Sequence, residues 1–442
     1  MTRNKTASNY FLFFFSLIGY LLICYTTLRI NFTQVITLFS GLFLIYYFLI
    51  KRLQSDREIN VGIGVGMVFR LSLLFCIPEL SDDVYRFFWD GMIYDSGTNP
   101  YLSTPTEIIS QLKTENYQLT TIYNHLNSKE YYSIYPPICQ YLYWICFKLS
   151  NNTILGFSIS LRFIFILFDL LNLVLIKSLL KRFNLPAKNI LLYWINPLII
   201  VELIGNLHFE IIMIGFILVS IWFLAKTNWI ISAITLGLAV STKLLPLIFL
   251  PFLFKRLEFK KWIIYCLLTG LVFAGFFIPF YDIALIQNFL SSIDLYFQKF
   301  EFNASIYYII RWIGFKTVGY NIIQQTGMGL AIITFLLIIY LAIKDKSKDL
   351  SGLPFLILTS LTIYFLLSTT VHPWYICTLV ALGIFTNLKY PILWSFLILL
   401  SYYTYSSQPY SENFVLVSVE YVLLFGYFGY EAYFYKKYHS YL

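Results

Sequence analysis

The sequence predicts an all-α, polytopic membrane protein. Of its 442 residues, 59% are hydrophobic, 20% are aromatic and only 12% are charged, and the mean hydropathy is +0.72. A soluble domain carries about 25% charged residues, so this chain has too little polar material to cover a surface that faces water. Its apolar segments are also long and continuous, which indicates spanning helices. These observations exclude an ordinary soluble enzyme, a disordered chain and a coiled coil.

About twelve segments have the length and composition of a membrane crossing, for which about 20 mostly apolar residues are needed. In chain order they lie near 10–28, 34–50, 59–77, 157–180, 189–204, 209–225, 262–281, 326–343, 352–370, 375–386, 390–405 and 414–435. Short clusters of Lys and Arg separate them, and the positive-inside rule places these clusters and both termini in the cytoplasm. The net charge of +9 therefore reflects topology rather than binding to nucleic acid.

Two apolar segments do not fit a simple alternation of crossings. If 136–149 crossed the membrane, the basic cluster at Lys181 would lie outside, so we expect that segment to be re-entrant or interfacial. The segment 228–255 has basic residues at both ends and a break between Lys243 and Pro246, where proline interrupts the helical hydrogen bonds. Each half is too short to cross, which predicts a re-entrant hairpin.

With this topology the long non-spanning segments all lie on the outer face of the membrane. The first outer loop is large, at 78–135, and the second covers 282–325. Loops of this length inside a compact protein usually have a function. No internal repeat or low-complexity linker is visible, so residues 1–442 are expected to form one integrated domain.

The first outer loop begins with an unusual concentration of charge. Asp82, Asp83, Asp90 and Asp95 lie within fourteen residues, beside Arg86. An aspartate at the membrane boundary can act as a general base when burial or a neighbouring carboxylate raises its pKa. The adjacent Asp-Asp pair supplies such a neighbour. The alternative is a solvated interfacial helix with ordinary charges.

Other residues of this loop are candidates for contact with a polar substrate. Asn99 and Tyr101 belong to an Asn-Pro-Tyr turn, and Tyr135 precedes a Pro-Pro pair that returns the chain to the membrane. We expect these three residues to line the substrate site together with Arg86 and Asp90.

A second polar group lies at the outer end of a predicted helix pair and consists of Glu202, Asn206, His208 and Glu210. We expect these residues to position sugar hydroxyls or a phosphate, and the alternative is an ordinary interfacial histidine with its neighbours. His208 and Glu210 alone would supply only two metal ligands. Because two ligands do not make a site, we expect no metal.

Three cationic or ionisable residues are candidates for binding a phosphate. Lys243 lies at the break of the predicted hairpin, where backbone groups are also exposed, and intramembrane charges usually face a cavity or a partner. His372 begins a His-Pro-Trp-Tyr sequence at the end of a crossing, and Arg311 lies in the second outer loop. The structural alternatives are snorkelling, an aromatic belt or an ion pair.

Several of these segments together resemble a known superfamily. DDVYRFFWDG with NPY, then YPP, NPLIIVE with NLHFE, and STKLLPLIFLP occur in the order found in the GT-C membrane glycosyltransferases. Within that superfamily the chain is most similar to the bacterial polyprenyl-phosphate-mannose-dependent mannosyltransferases. The matching motifs extend from about residue 60 to residue 375.

This resemblance implies a location, a donor and a mechanism. The chain would lie in the bacterial cytoplasmic membrane and transfer a hexose, mannose by resemblance, from a polyprenyl-phosphate donor to a lipid-linked or glycan acceptor on the outer face, with inversion. The family's acidic base corresponds to the Asp82–Asp83 pair, of which Asp82 is favoured and Asp83 is the alternative. The sequence contains no P-loop or dinucleotide motif, and we expect no cofactor. Fixed cations would stabilise the leaving phosphate.

Two other functions are compatible with a polytopic chain. A lipid or solute transporter, or a flippase, often has repeated halves and ionisable residues near the membrane midplane. Here the polar residues gather on one face and no repeat is visible. A lipid-linked glycan polymerase or ligase would depend more on Arg and His in a late outer loop than on an early Asp pair.

Overall fold

The structure, a computed structural model, describes residues 2–111 and 117–439, and over these residues it is helical, with one isolated β-bridge between Phe302 and Thr370. The α-helices are α1 (Thr2–Tyr25), α2 (Phe32–Arg52), α3 (Asp56–Ser72), α4 (Asp83–Asp95), α5 (Pro105–Ser110), α6 (Tyr117–His125), α7 (Pro137–Leu149), α8 (Ile154–Arg182), α9 (Ile190–Trp194), α10 (Glu210–Ala225), α11 (Trp229–Thr242), α12 (Leu250–Leu253), α13 (Phe259–Phe277), α14 (Leu285–Lys299), α15 (Ile306–Thr317), α16 (Ile323–Lys344), α17 (Leu353–Leu367), α18 (Ile376–Gly383), α19 (Tyr390–Leu397) and α20 (Phe414–His439). A π-helical segment covers Ile199–Gly205, and short 3-10 segments cover Ala187–Asn189, Leu245–Phe249, Ile278–Phe280, Pro373–Tyr375 and Ile398–Ser406.

Within the described residues, six helices are long and apolar enough to cross a membrane. They are Ala7–Tyr25, Phe32–Arg52, Ile154–Arg182, Phe259–Phe280, Ile323–Lys344 and Phe414–Tyr433. A seventh candidate is the helix pair Ala187–Trp194 and Ile199–Gly205, which is bent by 56°. The predicted all-α class with several spanning helices is confirmed. Each of the twelve predicted segments overlaps a helix, while their number as crossings stays a prediction.

The two segments that do not fit a simple alternation of crossings both form short helical pieces. The segment 136–149 forms α7, which has thirteen residues and packs against α4 and α8. In 228–255, α11 ends at Thr242 and Lys243 has an extended backbone (φ −159°, ψ 141°) before the 3-10 segment begins. The predicted break at Lys243 is therefore present, and the re-entrant path of both segments stays a prediction.

Most of the interior of the described residues is a large hydrophobic core cluster that extends from Phe13 in α1 to Leu424 in α20, and two small clusters lie around Tyr101 and Tyr307. Helix α10 packs against α8 and α11, α11 packs against α13, and α4 packs against α7. Gly91 permits the last of these contacts, because a Cβ atom there would lie 2.5 Å from the carbonyl oxygen of Tyr143. The close packing of α4 against α7 sets the position of the aspartates at the start of α4.

A fully buried ion pair joins α3 to α8 inside this core. Arg70 Nε donates to Asp169 at 2.6 Å, and both side chains have no exposed surface. The guanidinium also stacks 3.6 Å from the ring centroid of Trp194, and Tyr193 donates to Asp169 at 2.6 Å. Since buried charges are tolerated only when paired and hydrogen-bonded, this pair has a structural role.

Candidate active site

The adjacent aspartates at the start of α4 have different partners. Asp82 forms an ion pair with Arg29, which lies in the turn between α1 and α2. Asp83 Oδ2 lies 4.0 Å from His208 Nδ1, and Asn127 donates to its other oxygen at 3.5 Å. Both distances are long for hydrogen bonds. Asp82 is therefore already engaged by a cation, whereas Asp83 is only weakly bonded.

The surroundings of Asp83 suit a proton acceptor. Burial raises the pKa of the Asp83 carboxyl, and the neighbouring His208 and Asn127 oppose that rise. Its side chain remains 21% exposed, so a hydroxyl group can reach it. An accessible carboxylate with a raised pKa and few fixed hydrogen bonds is what general base catalysis requires.

Arg29 is not among the residues predicted from the sequence. Its guanidinium lies 4.4 Å from the ring centroid of Tyr405 and donates to the Tyr410 hydroxyl at 3.0 Å. These contacts connect the α1–α2 turn, the start of α4 and the segment before α20. A signal was available, because the predicted topology puts this turn on the outer face, where the positive-inside rule makes cations scarce.

His208 lies in a tightly held turn after the π-helical segment Ile199–Gly205. Arg162 in α8 donates to the carbonyl groups of the last two residues of that segment at 2.8 and 3.0 Å, which satisfies a helix end inside the protein. Leu207 has a φ of +62°, in the left-handed region that leucine rarely adopts. A strained residue held by its surroundings is typical of functional sites.

A stack of four rings brings the second polar group together with the His-Pro-Trp-Tyr sequence. This ring stack consists of His208, Trp374, His372 and Phe302, with successive centroids 3.8, 4.4 and 4.7 Å apart. Burial, together with nearby Lys243, lowers the pKa of His372 to about 3, so this ring is neutral at pH 7. His372 could therefore bind a phosphate only as a neutral donor.

Glu202 lies behind His208 and is completely buried. Its Oε2 atom lies 3.4 Å from His208 Nε2 and accepts a hydrogen bond from Asn206 at 3.1 Å. The hydroxyl of Tyr402 donates to Oε1 at 2.5 Å. Asn206, a predicted substrate ligand, is thus bonded to Glu202 here.

Lys243 provides a cation next to the ring stack. It forms an ion pair with Glu210, and its ammonium group lies 4.2 Å from the ring centroid of Tyr375, the residue after Trp374. The Lys243 side chain is 32% exposed, whereas that of Glu210 is 3% exposed. Two predicted site residues therefore meet at this point, with the cation on the accessible side of the pair.

Arg86 and Asp90 form a buried network within the first outer loop. Arg86 Nε donates to Asp90 at 2.8 Å and its Nη1 to the carbonyl group of Ser128 at 2.9 Å. Asp90 also accepts from Ser133 at 2.6 Å and from Gln140 at 3.0 Å. These bonds hold α4 to the later part of the loop. Contact of Arg86 and Asp90 with a substrate stays a prediction.

Asn99, Tyr101 and Tyr135 connect the two outer loops. Asn99 donates to the carbonyl group of Phe280 at 2.8 Å, and the Tyr101 hydroxyl donates to that of Tyr135 at 2.6 Å. Asn288 in α14 donates to the Tyr101 carbonyl group at 3.1 Å. Their substrate-binding role also stays a prediction, since the bonds seen here are internal to the protein.

Arg311 belongs to a neighbouring cluster. It forms an ion pair with Glu301 and lies 4.9 Å from the ring centroid of Tyr308, which in turn bonds to Glu412. Glu301 directly precedes Phe302, the last ring of the stack. Arg311 is therefore connected to the ring stack through its partner Glu301, but its charge is already paired with that carboxylate.

Three further residues of the site are not among the predicted ones: Trp374, Tyr375 and Tyr402. Trp374 and Tyr375 belong to the His-Pro-Trp-Tyr sequence, so their neighbour His372 gave a signal, and Glu202 was expected as part of the second polar group. Tyr402 gave none, because it is one of 37 tyrosines. Over residues 2–111 and 117–439, no three His, Cys, Asp or Glu side chains are grouped so as to hold a metal ion.

Comparison with known proteins confirms the expected resemblance. Residues 17–257 match the profile of a family described as alpha-(1->6)-mannopyranosyltransferase, N-terminal domain. Alpha-(1->6)-mannopyranosyltransferase A of Corynebacterium glutamicum is 24% identical over a 220-residue alignment, which covers 46% of this chain. The alignment covers 41% of that relative's length. Because the profile matches more than half of the chain, the chain belongs to this alpha-(1->6)-mannopyranosyltransferase family.

Proposed function

We propose that the chain is an integral membrane mannosyltransferase. It would move mannose from a polyprenyl-phosphate donor to a hydroxyl group of a glycan or lipid-linked acceptor on the outer face. The observation that carries this proposal is the arrangement of Asp83, an accessible and weakly bonded carboxylate, and Lys243, an accessible cation, at one ring stack. Membership of a mannosyltransferase family supports the identity of the sugar.

Asp83 is the proposed general base. It takes the proton of the acceptor hydroxyl while the oxygen forms a bond to the anomeric carbon of the donor. The bond between that carbon and the phosphate oxygen breaks, and its electron pair leaves with the phosphate. What favours Asp83 over Asp82 is that the charge of Asp82 is already neutralised by Arg29. Base catalysis of this kind contributes about 10²- to 10⁴-fold.

Lys243 is the proposed ligand of the leaving phosphate. A fixed cation is worth most where negative charge develops, and the ammonium group can exchange its contact with Glu210 for a phosphate oxygen. His372, neutral at pH 7, and Arg311, paired with Glu301, are secondary candidates. Polyprenyl phosphate leaves as an anion that needs no further protonation.

The stereochemistry follows from a single displacement. One attack opposite the leaving phosphate inverts the anomeric carbon. If the product has the alpha-(1->6) linkage that gives the Corynebacterium glutamicum relative its name, the donor must be the β-linked mannosyl phosphate. The donor anomer is therefore part of the proposal, and an α-linked donor would not be used.

The experiment is a transfer assay with the purified chain in detergent. Radiolabelled β-mannosyl polyprenyl phosphate is mixed with an alkyl α-mannoside as acceptor, and labelled disaccharide and free polyprenyl phosphate are measured. Equal amounts of both products support the proposal. If the purified chain, reconstituted into vesicles, moved the labelled donor from one leaflet to the other without chemical change, a flippase would be supported instead. Elongation of a lipid-linked glycan by whole repeats would support a polymerase.

The proposed orientation has its own test. The first outer loop and the loop after α16 should lie on opposite faces, with both termini in the cytoplasm. Single cysteines at the exposed positions Asn124 and Ser347 can be labelled from outside in intact cells, in a Cys266→Ala background because the other five cysteines are buried. Labelling at position 124 alone is expected, and labelling at both positions from outside would contradict this topology.

A further inference from the structure

The imidazole of His208 lies between two carboxylates. Its Nδ1 is 4.0 Å from Asp83 Oδ2, and its Nε2 is 3.4 Å from Glu202 Oε2. The His208 side chain is 3% exposed and Glu202 is completely buried, so little water screens these contacts. The three residues come from α4, the π-helical segment and the turn after it, and only the tertiary structure brings them together.

The three groups are related by proximity rather than by a chain of hydrogen bonds. His208 Nε2 has no hydrogen-bond partner among the described residues, and the 4.0 Å contact of Nδ1 is longer than a hydrogen bond, so the ring and the two carboxylates interact through space. Stacking against Trp374 at 3.8 Å and 16° keeps the ring in this orientation. Glu202 is in turn fixed by Tyr402 and Asn206, so the second carboxylate cannot turn away.

We propose that His208 is a positioning residue that favours the ionised form of Asp83 between turnovers, with Glu202 acting on Asp83 through the ring. This inference rests on the proposed function, because it assigns Asp83 the role of base. The arrangement is a carboxylate, an imidazole and a second carboxylate in series, in which the buried member supports the ring and the ring supports the accessible member. His208 does not itself contact the reacting atoms.

A consequence for the pH dependence follows from the sign of this interaction. Transfer needs Asp83 without its proton, so the rate falls as the pH drops through the pKa of Asp83. Burial raises that pKa and His208 lowers it. Removing the His208 ring therefore moves the fall in rate to higher pH. The other acidic, basic and imidazole groups near this site are Asp82, Arg29, His372, Lys243, Glu210 and Arg162. The neighbouring phenols and thiols are those of Tyr135, Tyr143, Tyr402, Tyr405, Cys24 and Cys377.

The first test is the His208→Asn variant, which replaces the imidazole by an amide that cannot carry a charge. An opposite charge this close shifts a carboxyl pKa by about one unit or more. At pH values below the pKa of Asp83, kcat/KM of the variant should therefore be about tenfold or more lower than that of wild type. On the alkaline side the variant should lie within about threefold of wild type, with the donor KM unchanged. His125→Asn, at an exposed histidine of α6, is the matched control.

The second test uses Glu202→Gln, which leaves the ring in place. If Glu202 acts through His208, the acid limb moves to higher pH. If Glu202 acted directly as a negative charge near Asp83, its removal would move the limb to lower pH. The opposite signs separate the two, and in the double variant His208→Asn with Glu202→Gln the upward shift due to Glu202 should vanish.

Three results would overturn the inference: an unchanged acid limb in His208→Asn, a loss by the same factor at every pH, or a downward shift in Glu202→Gln. Unfolding temperature and gel filtration in detergent identify variants that fail to fold, and the Glu202→Gln profile then decides alone. Failure of the proposed function is distinguishable, because it would appear as full transfer by Asp83→Asn or as no transfer by wild type.

Discussion

Two aspartates on helix α4, two turns apart, have opposite surroundings. Asp90 accepts hydrogen bonds from three side chains at 2.6 to 3.0 Å and is completely buried. Among the described residues, the side-chain partners of the Asp83 carboxylate lie at 3.5 and 4.0 Å, and Asp83 is partly exposed. A carboxylate with all its acceptor positions filled has no capacity left for a substrate, whereas a weakly bonded one does. The number of fixed partners, rather than the residue type, separates the structural acid from the candidate base.

The largest expected effect is on catalysis at Asp83. Asp83→Asn should lower transfer by about 10²- to 10⁴-fold, because the amide cannot accept the hydroxyl proton. Its unfolding temperature should stay the same or rise: burial raises the folded-state pKa of this carboxyl, so its ionised form opposes folding at neutral pH.

The control for this prediction is Asp82→Asn in the same transfer assay. We expect the smaller loss there, since Asp82 is engaged by Arg29. An equal loss in both variants would contradict different roles for the two residues. A loss in Asp82→Asn alone would assign the base to Asp82.

The next effect is on stability at the other aspartate. Asp90→Asn leaves the buried Arg86 guanidinium without its anion, which should lower the free energy of unfolding by about 3–5 kcal/mol. Thermal unfolding in detergent measures this change. An Asp90→Asn protein with wild-type stability and no transfer would reverse the assignment and place Asp90 in the catalytic machinery.

The Lys243–Glu210 pair extends the comparison to an ion pair with one accessible member. Lys243→Gln should raise the donor KM about tenfold or more, since a hydrogen bond to a charged group is worth about 1.5–3 kcal/mol. Glu210→Gln is the matched control, because it frees the ammonium group and should leave the donor KM equal or lower. Equal increases in donor KM in both variants would show that the pair only stabilises the fold.

The smallest effect belongs to a third aspartate of the same helix. Asp95, at the end of α4, pairs with Lys148 at 2.5 Å, and the lysine is 55% exposed. Exposed ion pairs contribute about 0–1 kcal/mol. Lys148→Met should therefore change the unfolding temperature by no more than about a degree or two and leave kcat/KM unchanged. A large loss of stability or of kcat/KM would mean that the exposure of an aspartate's partners does not predict how much the aspartate contributes.

Several features of the site could be predicted from the sequence because they are local. The Asp-Asp pair, the Asn206–Glu210 group and the His-Pro-Trp-Tyr sequence each stand out as polar residues at the end of an apolar segment. The break at Lys243 follows from Pro246, since proline cannot continue a helix. Membership of a mannosyltransferase family was also accessible from motifs in order along the chain.

The pairing of these features could not be predicted. Sequence spacing does not reveal that Arg29 neutralises Asp82, that Trp374 separates His208 from His372, or that Tyr402 bonds to Glu202. Apart from Trp374 and His372, which are close in sequence, these contacts join residues 53 to 200 positions apart. They depend on how helices pack, and packing follows side-chain shape over the whole core rather than any local pattern.

The sequence by itself determined the class of this protein, because 12% charge over 442 residues allows only a membrane environment and the scarce polar residues mark the site. The tertiary structure alone decided the state of each charge. Burial and distances of a few ångströms decide whether the acceptor positions of an aspartate are occupied or accessible. They also decide whether a histidine is a neutral member of a ring stack or lies between carboxylates. Those quantities exist only after the helices have packed.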